Sequence, residues 1–326
     1  MMKLSTMVTG LASEDVMNSL IKNWAHDEET IQFWRASSNF VIAYSKDGER
    51  YFLRYSFEQE KSIEHIQAEL DYMSYLNANH YPCVTPVVSL NGNYIEATQS
   101  PEGTYYAVVF KAAQGSSLDE NLTELQFEDW GKALGALHRL SEAYEPVSTK
   151  REDWQDVLNG MASILQRHHE KEAIVELEHL MKELQAIPIL KSNYGLIHYD
   201  FQLDNVFYEE DTRIFHVIDF DDAFYSWYVQ DIVTALDDFL EDELTLDSPP
   251  VKAFLKGYKS VKLVSEEELA CLPIFKRFMK LYKFSRILWS LEGAELENAP
   301  EWLPPIKMKF ENVRDQLRSS FKNAIK

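Results

Sequence analysis

Two short apolar runs, each close to clustered polar residues, interrupt an otherwise helical part of this chain. They span Val206–Tyr208 and Ile214–Ile218 within the stretch GLIHYDFQLDNVFYEEDTRIFHVIDFDDA, residues 195–223. Short apolar runs are typical of buried strands, inside which an unpaired carboxylate would be very costly. Asp219, Asp221 and Asp222 follow the second run directly. We therefore expect a fold in which strand ends present acids to a cleft rather than to a core.

The first third of the chain predicts an antiparallel sheet with one inserted helix. Two β-rich runs, Phe40–Ser45 and Tyr51–Tyr55, flank Asp47-Gly48. Gly tolerates the positive φ that a tight hairpin turn needs, so this segment predicts a hairpin. Apolar residues then recur at spacings of three and four between positions 63 and 76, which indicates an amphipathic helix. The other strand-like runs are Ile31–Trp34, Val87–Leu90, Tyr94–Ala97 and Tyr105–Phe110, with Asn91-Gly92 joining the second to the third.

Beyond the segment KAAQGSSLDE the pattern turns helical, apart from the stretch described above. Apolar residues from 127 to 140 share one helical face, long helical patterns cover about 151–185, and helices resume near Val229. Ser265 with Glu268 is a capping box, which marks a helix start. We predict an α+β chain with a β-rich lobe over 1–110, a hinge over 111–116 and a helical lobe over 117–326.

Composition excludes several classes of function. The 326 residues carry a net charge of −21, which disfavours non-specific binding to nucleic acid or to an anionic membrane and would attract a cationic small molecule. The two cysteines form no CxxC pair, so we expect neither a disulfide framework nor a zinc site, and a reducing cytoplasm is the simplest location. The first twenty residues lack the apolar core of a signal peptide, and no window resembles a membrane span.

The polar residues of the opening stretch have the spacing of a kinase catalytic loop. HYDFQLDN reads H-x-D-x-x-x-x-N over His198, Asp200 and Asn205, and VIDFDDA is similar to the magnesium-binding D-F-G element with Asp221 in the Gly position. The chain thereby resembles the aminoglycoside phosphotransferase and choline kinase family of small-molecule kinases, which have a two-lobed, protein-kinase-like fold. The resemblance extends from about residue 33 to residue 288 and is most specific between residues 196 and 231.

This resemblance implies a role for each polar residue of the stretch. Asp200 would accept the proton of the substrate hydroxyl or orient that hydroxyl, while Asn205 and Asp219 would hold the Mg²⁺ that bridges the phosphates of ATP. His198 would support the loop by hydrogen-bonding to backbone, and Asp231 would brace it from a helix start. The alternative for the loop acids is that they are turn residues in a solvated loop, and for Asp231 that it is a helix acid favoured by the dipole.

The nucleotide site implied for the first lobe departs from protein kinases. Arg54 stands where those kinases have Lys, and a guanidinium fork can bind phosphate. Glu69 would be the helix partner of Arg54, with Glu64 as second choice. There is no G-x-G-x-x-G, so the loop that covers the phosphates would be Ser37-Ser38-Asn39. Backbone groups of Phe110 and Ala112 in the hinge would meet adenine, although a plain linker explains that segment as well.

Three other functions compete with a small-molecule kinase. A protein kinase needs an activation segment that ends in A-P-E, but Asp231 lies only twelve positions after Asp219. A metal-dependent hydrolase built on His198, Asp200 and Asp219 would need more ligands at matched spacing. A kinase-like nucleotide-binding protein with little or no turnover stays open because of Arg54 and the missing glycines.

The acceptor is expected to be a small molecule with a hydroxyl group and an amine. Acids suit an ammonium group, and aromatic rings nearby would add to its binding. The alternative is a helix with a solvated acidic face over core aromatics, and members of the resembled family accept aminoglycosides, choline, homoserine and other metabolites. The acids in question are Asp222 and Asp238, with Asp237, Glu241 and Asp242, and the aromatic residues are Trp227, Tyr228 and Trp289.

Overall fold

The computed structural model describes residues 1–147, 149–240, 246–295 and 299–324. Within these ranges, the first lobe is an antiparallel sheet in the order β1-β2-β3-β6-β4, with β5 also pairing with β6. Its strands are β1 (Gln32–Ala36), β2 (Phe40–Lys46), β3 (Glu49–Phe57), β4 (Pro86–Val87), β5 (Glu96–Ser100) and β6 (Gly103–Lys111).

The hairpin predicted around Asp47-Gly48 is confirmed. Strands β2 and β3 pair from Lys46↔Glu49 outward, and Asp47 and Gly48 both have positive φ, as a two-residue turn of this kind requires. The two runs that Asn91-Gly92 joins do not pair with each other. Strands β4 and β5 both pair with β6, over two and five residue pairs respectively.

One helix lies inside this lobe, as the apolar spacing predicted. Helix α3 (Ile63–Ala78) begins at Ser62, whose side chain accepts the backbone N–H of His65 and so caps the helix. Two shorter helices, α1 (Leu4–Ala12) and α2 (Glu14–Ile21), precede the sheet and pack against its other face.

Within the described ranges, the rest of the chain is mainly helical and contains five short strands, β7 to β11. Strands β9 and β10 form a hairpin that β7 joins, and β8 pairs with β11. The helix predicted to start at Ser265 is confirmed as α9 with its capping box. The helices are α4 (Glu124–Ser141), α5 (Trp154–Arg167), α6 (Lys171–Gln185), α7 (Tyr228–Ala235), α8 (Pro249–Lys259), α9 (Glu266–Leu269), α10 (Leu272–Leu291) and α11 (Leu303–Ala324); the strands are β7 (Ser116–Ser117), β8 (Tyr194–Ile197), β9 (Val206–Glu209), β10 (Ile214–Val217) and β11 (Phe224–Trp227).

Two hydrophobic cores support the two lobes, and the end of the chain contributes to both. The larger core joins one face of α3 to the helical part, and its members include Phe321 of α11. The smaller core lies between the sheet and helices α1 and α2, and it includes Ala294 and Leu303. Residues that the sequence places far into the helical lobe thus pack in the core of the sheet. No helix within the described ranges is long and apolar enough to cross a bilayer.

Candidate active site

The loop after β8 brings together the polar residues of the H-x-D-x-x-x-x-N pattern. Asn205 donates from Nδ2 to the Asp200 carbonyl at 3.0 Å and to Asp200 Oδ2 at 2.8 Å. The Asp200 N–H donates to His198 Nδ1 at 3.2 Å, so the proton of the neutral ring lies on Nε2, which donates to the Ile218 carbonyl at 2.9 Å. Burial lowers the pKa of His198 and keeps the ring neutral. His198 therefore ties the loop to the end of β10.

A fully buried carboxylate holds the backbone of this loop from below. Asp231 in α7 accepts the N–H of His198 at 2.7 Å and the N–H of Tyr199 at 2.6 Å. It also accepts from His138 Nε2 at 3.0 Å, and burial lowers the pKa of His138. Tyr199 has a φ of 68°, a region that costs free energy for a residue other than Gly, so these hydrogen bonds hold a strained turn in place.

The carboxyl group of Asp200 is largely buried and lies near three other carboxylates. Burial raises the pKa of Asp200 to about 7, and the negative charges of Asp222, Asp204 and Asp219 act in the same direction. A carboxyl group that titrates near neutral pH can accept a proton more readily than an ordinary aspartate. The position and the pKa of Asp200 both suit a general base.

The residues predicted to hold the metal have features that fit a cation. Asn205 is buried, and its Oδ1 has no hydrogen-bond partner among the described residues, because Nδ2 makes both contacts to Asp200. Asp219 lies two residues after the end of β10 and has a φ of 62°, and its partly exposed carboxylate pairs with two arginines. Within the described ranges, His, Cys, Asp and Glu side chains form no metal-binding group of three. A Mg²⁺ ion here would complete its shell with phosphate and water oxygens, as it commonly does.

Arg54 of β3 and Glu69 of α3 form a buried, bidentate ion pair. Arg54 Nη1 lies 2.9 Å from Glu69 Oε1, and Nη2 lies 2.5 Å from Oε2. The same Nη1 reaches Asp219 Oδ1 at 3.5 Å, so the guanidinium borders the predicted metal site. The structure thus brings Arg54, Glu69 and Asp219 together, whereas Glu64 lies in the first turn of α3 and makes no contact with Arg54 in the described structure.

The loop between β1 and β2 is bonded differently from a phosphate-covering loop that offers free side chains. Asn39 is buried and donates from Nδ2 to Asp221 Oδ2 at 3.0 Å. Ser38 Oγ accepts from the Met1 nitrogen at 2.9 Å, and the Ser37 N–H donates to the Asn39 carbonyl at 3.1 Å. The side chain of Asn39 is committed to Asp221 because an acid, not a glycine, follows Phe220. Asn39 could contact phosphate only through the second N–H of Nδ2 or through its backbone.

One backbone group of the predicted hinge, the N–H of Ala112, is already in use. The Ala112 N–H donates to the Arg50 carbonyl at 3.0 Å, and the Lys111 N–H donates to the Thr85 carbonyl at 3.1 Å. An adenine contact at Ala112 would therefore use its carbonyl oxygen. The Phe110 ring faces the cleft side, because the guanidinium carbon of Arg54 lies 5.0 Å from its centre.

Three cations of the site were not found from the sequence. Arg151 is buried and donates to the backbone carbonyls of Asp221, Ala223 and His65, which pins the segment after Asp219. Lys61 pairs with Asp221, and burial lowers the pKa of Lys61 to about 8. Arg35 pairs with Asp219 at 3.1 Å. No motif surrounds these residues, but the unpaired acid in the Gly position of D-F-G was a signal that a buried cation must lie opposite.

A cavity of about 240 Å³ adjoins Asp222 between α5 and α10. Three further acids, Glu152, Asp156 and Asp221, line it together with Tyr282 and the cations Arg151 and Arg286. Asp222 also contributes to the raised pKa of Asp200, so this carboxylate lies both at the cavity and near the loop that carries Asp200.

The other residues considered for the acceptor lie elsewhere. Asp238 is exposed in the turn Asp237–Phe239 and does not line this cavity, while Glu241 and Asp242 lie outside the described residues. Trp227 and Tyr228 are core residues, and Trp289 already has the cations Lys3 and Arg167 over its ring.

Comparison with known proteins places this geometry in a family context. The profile described as "Phosphotransferase enzyme family" matches residues 30–269. The chain is 24% identical over 312 residues to amicoumacin kinase of Bacillus subtilis (strain 168), with 92% of each chain covered.

Solved structures show the same likeness at the level of the fold. The amicoumacin kinase hAmiN in complex with AMP-PNP, Ca²⁺ and Ami has a TM-score of 0.78 at 22% identity, over 94% of this chain and 93% of that one. The microcompartment-associated aminopropanol kinase has a TM-score of 0.68 at 18% identity, over 95% of this chain and 98% of that one. These similarities confirm the two-lobed α+β fold expected from the sequence.

Proposed function

We propose that a small amino alcohol is the acceptor of this chain, which belongs to the phosphotransferase enzyme family. The chain transfers phosphate from ATP to a hydroxyl group of a small molecule with the help of a divalent metal ion. The hydroxyl group would lie at Asp200 and the ammonium group among the acids that line the neighbouring cavity. The observation that carries this proposal is that Asp222 lines the cavity and also lies close enough to Asp200 for its charge to raise the pKa of Asp200.

Asp200 has the geometry of the catalytic base. Its Oδ2 is held by Asn205, which leaves Oδ1 to accept the proton of the acceptor hydroxyl. A proton acceptor within reach of the nucleophile accounts for about 10²–10⁴-fold in rate. Asn205 Oδ1 and Asp219 would hold the Mg²⁺, whose chemistry is to neutralise the charge of the transferred phosphoryl group. Arg54, fixed by Glu69, would bind the phosphates from the sheet side.

The surroundings of the cavity favour an ammonium group. Four acids, Glu152, Asp156, Asp221 and Asp222, line it beside the two cations Arg151 and Arg286, so acids outnumber cations there, and the chain as a whole carries a net charge of −21. A volume of about 240 Å³ lies below the roughly 300–1,000 Å³ of pockets for drug-sized ligands, which favours an amino alcohol over a multi-ring aminoglycoside. One structural relative is named as a kinase of such an acceptor, aminopropanol.

A matched pair of acceptors tests the acceptor class. We expect 1-amino-2-propanol to be phosphorylated with a kcat/KM about 10- to 150-fold above that of 1,2-propanediol, because one charge-assisted hydrogen bond contributes about 1.5–3 kcal/mol. ADP release over a panel of amino alcohols, aminoglycosides and sugars is the measurement. Equal rates for the amine and the diol, or activity with aminoglycosides alone, would exclude the small amino alcohol.

Two variants locate the groups responsible. Asp200→Ala should lose about 10²–10⁴-fold in turnover with little change in ATP affinity, since Asp200 does not hold the nucleotide. Asp222→Asn should reduce kcat/KM for the amine far more than for the diol. Asp211→Asn removes the same charge from an exposed turn and is the control. If Asp238→Asn rather than Asp222→Asn abolishes the preference for the amine, the acids of the exposed turn Asp237–Phe239 bind the ammonium group instead of the cavity.

A further inference from the structure

Arg35 is a second arginine on the acid that is proposed to hold the metal. Its Nη2 lies 3.1 Å from Asp219 Oδ2, while Arg54 Nη1 lies 3.5 Å from Oδ1 of the same carboxylate. We propose that Arg35 binds the phosphates of the nucleotide from β1 and takes over the task that a glycine-rich loop performs with backbone N–H groups. The proposal rests on the metal role of Asp219 in the proposed function and is independent of the acceptor.

Strand register places the two arginines on one face of the sheet. Arg35 pairs with Val41, and Val41 pairs with Arg54 on its other side. Side chains of directly paired residues point to the same face of a sheet, so Arg35, Val41 and Arg54 form one row. Arg54 faces α3 and the cleft, as its contact with Glu69 shows, and Arg35 therefore faces the cleft as well.

A bulge in β1 is what turns Arg35 towards the cleft. Phe33 pairs with Ile42 but Arg35 pairs with Val41, so β1 advances two residues where β2 advances one. In a regular ladder Arg35 would stand opposite Phe40, which is fully buried in the small core. The extra residue moves Arg35 from the core face to the face of Arg54. Bulges often re-aim a side chain next to a functional site.

The bonding of the two arginines differs in a way that points to an anionic ligand. Arg54 is held by Glu69 as well as by Asp219, and its side chain is 11% exposed. Arg35 is 42% exposed, and Asp219 is its one acidic partner in the described structure. A divalent cation on Asp219 would repel both guanidinium groups. Arg54 would keep Glu69, whereas Arg35 would need another anion, and the metal-bound phosphates are the anions at that place.

Binding of nucleotide without any acceptor tests this proposal. We expect Arg35→Gln to weaken binding of the magnesium complex of AMP-PNP by about 10- to 150-fold, the range of a charge-assisted hydrogen bond, and to change adenosine affinity less than twofold. Arg35→Lys should be intermediate, because it keeps the charge and loses the fork. Arg139→Gln, which removes an exposed arginine of α4, is the matched control and should change neither affinity. Isothermal titration calorimetry measures all of these affinities.

Each other outcome contradicts the proposal in a distinct way. Unchanged AMP-PNP affinity in Arg35→Gln would make Arg35 a surface residue. Equal losses for AMP-PNP and adenosine would mean that the side chain supports the sheet. Tighter AMP-PNP binding would show that Arg35 competes with the metal for Asp219 and does not bind phosphate. An Asp219→Asn variant with unchanged magnesium dependence would instead refute the metal role of Asp219, a failure of the proposed function that is visible in a separate measurement.

Discussion

At the scale of single residues, the raised pKa of Asp200 has a measurable consequence. Burial and three neighbouring carboxylates raise this pKa to about 7, so that at pH 7 about half of the free protein carries a proton on Asp200. A divalent cation beside Asn205 and Asp219 favours the charged carboxylate and lowers the pKa. Binding of the magnesium–ADP complex at pH 7 should therefore release about half a proton from Asp200, and almost none at a pH well above 7.

Calorimetry in buffers of different ionisation enthalpy measures this proton release. The nucleotide makes its own contribution, so the relevant quantity is the difference between the unmodified protein and Asp200→Asn. Asp204→Asn should reduce the release without abolishing it, because Asp204 is one of the charges that raise the pKa. Identical proton release in the unmodified protein and in Asp200→Asn would show that Asp200 is already charged at pH 7.

At the scale of elements, helices α4 and α8 touch backbone to backbone. A Cβ atom at Gly257 would overlap the carbonyl oxygen of Glu128, and one at Gly131 would overlap that of Phe254. We expect Gly257→Ala to force the helices apart and to cost about 1–3 kcal/mol, the usual range for overpacking a filled core. Urea-induced unfolding gives this free energy directly.

A second glycine on a helix provides the control for this prediction. Gly160 lies in α5, where an added Cβ would meet no atom within 4 Å. Gly160→Ala should stabilise the protein by about 0.5–1 kcal/mol, because Gly is a poor helix former. If both variants stabilise the protein, α4 and α8 have room to adjust, and the close contact does not limit their packing.

At the scale of the whole molecule, the C-terminal segment joins the two lobes. Leu303 begins α11 in the core of the sheet, while Phe321 near its end belongs to the core of the helical lobe. Glu60, in the turn before α3, accepts hydrogen bonds from Thr6 at 2.8 Å and from Trp289 at 3.3 Å. The two lobes are thus linked by more than the hinge.

This link predicts that a substitution in α11 weakens the sheet of the first lobe. Leu303→Ala should lower the free energy of unfolding by about 2–5 kcal/mol. Amide hydrogen exchange in β2 and β3 should become faster by the factor that this loss of free energy implies. Met308→Ala, on the exposed side of the same helix, is the control and should leave exchange unchanged. Slower or unaltered exchange of β2 and β3 in Leu303→Ala would mean that the sheet is stable without α11.

What the sequence determined by itself is local. Asp200 and Asn205 are five positions apart, so a short turn is enough to bring their side chains into contact. The β2–β3 hairpin likewise depends on neighbouring residues, because the Asp47-Gly48 turn sets its register. Spacing and turn chemistry are short-range, so the contact between Asp200 and Asn205 and the hairpin could be inferred before any coordinates. The two-lobed α+β fold could be inferred as well, from the order of the predicted strands and helices and from the family resemblance.

The tertiary structure alone decided which distant side chains meet in the cleft. Arg35 and Asp219 are 184 positions apart, and Asn39 and Asp221 are 182 apart. Whether Arg35 faces the cleft depends on one extra residue in β1, since a shift of one position moves every following side chain to the opposite face of the sheet. Residue types and spacing carry no signal for such a bulge, because it results from how the strand packs against its neighbours.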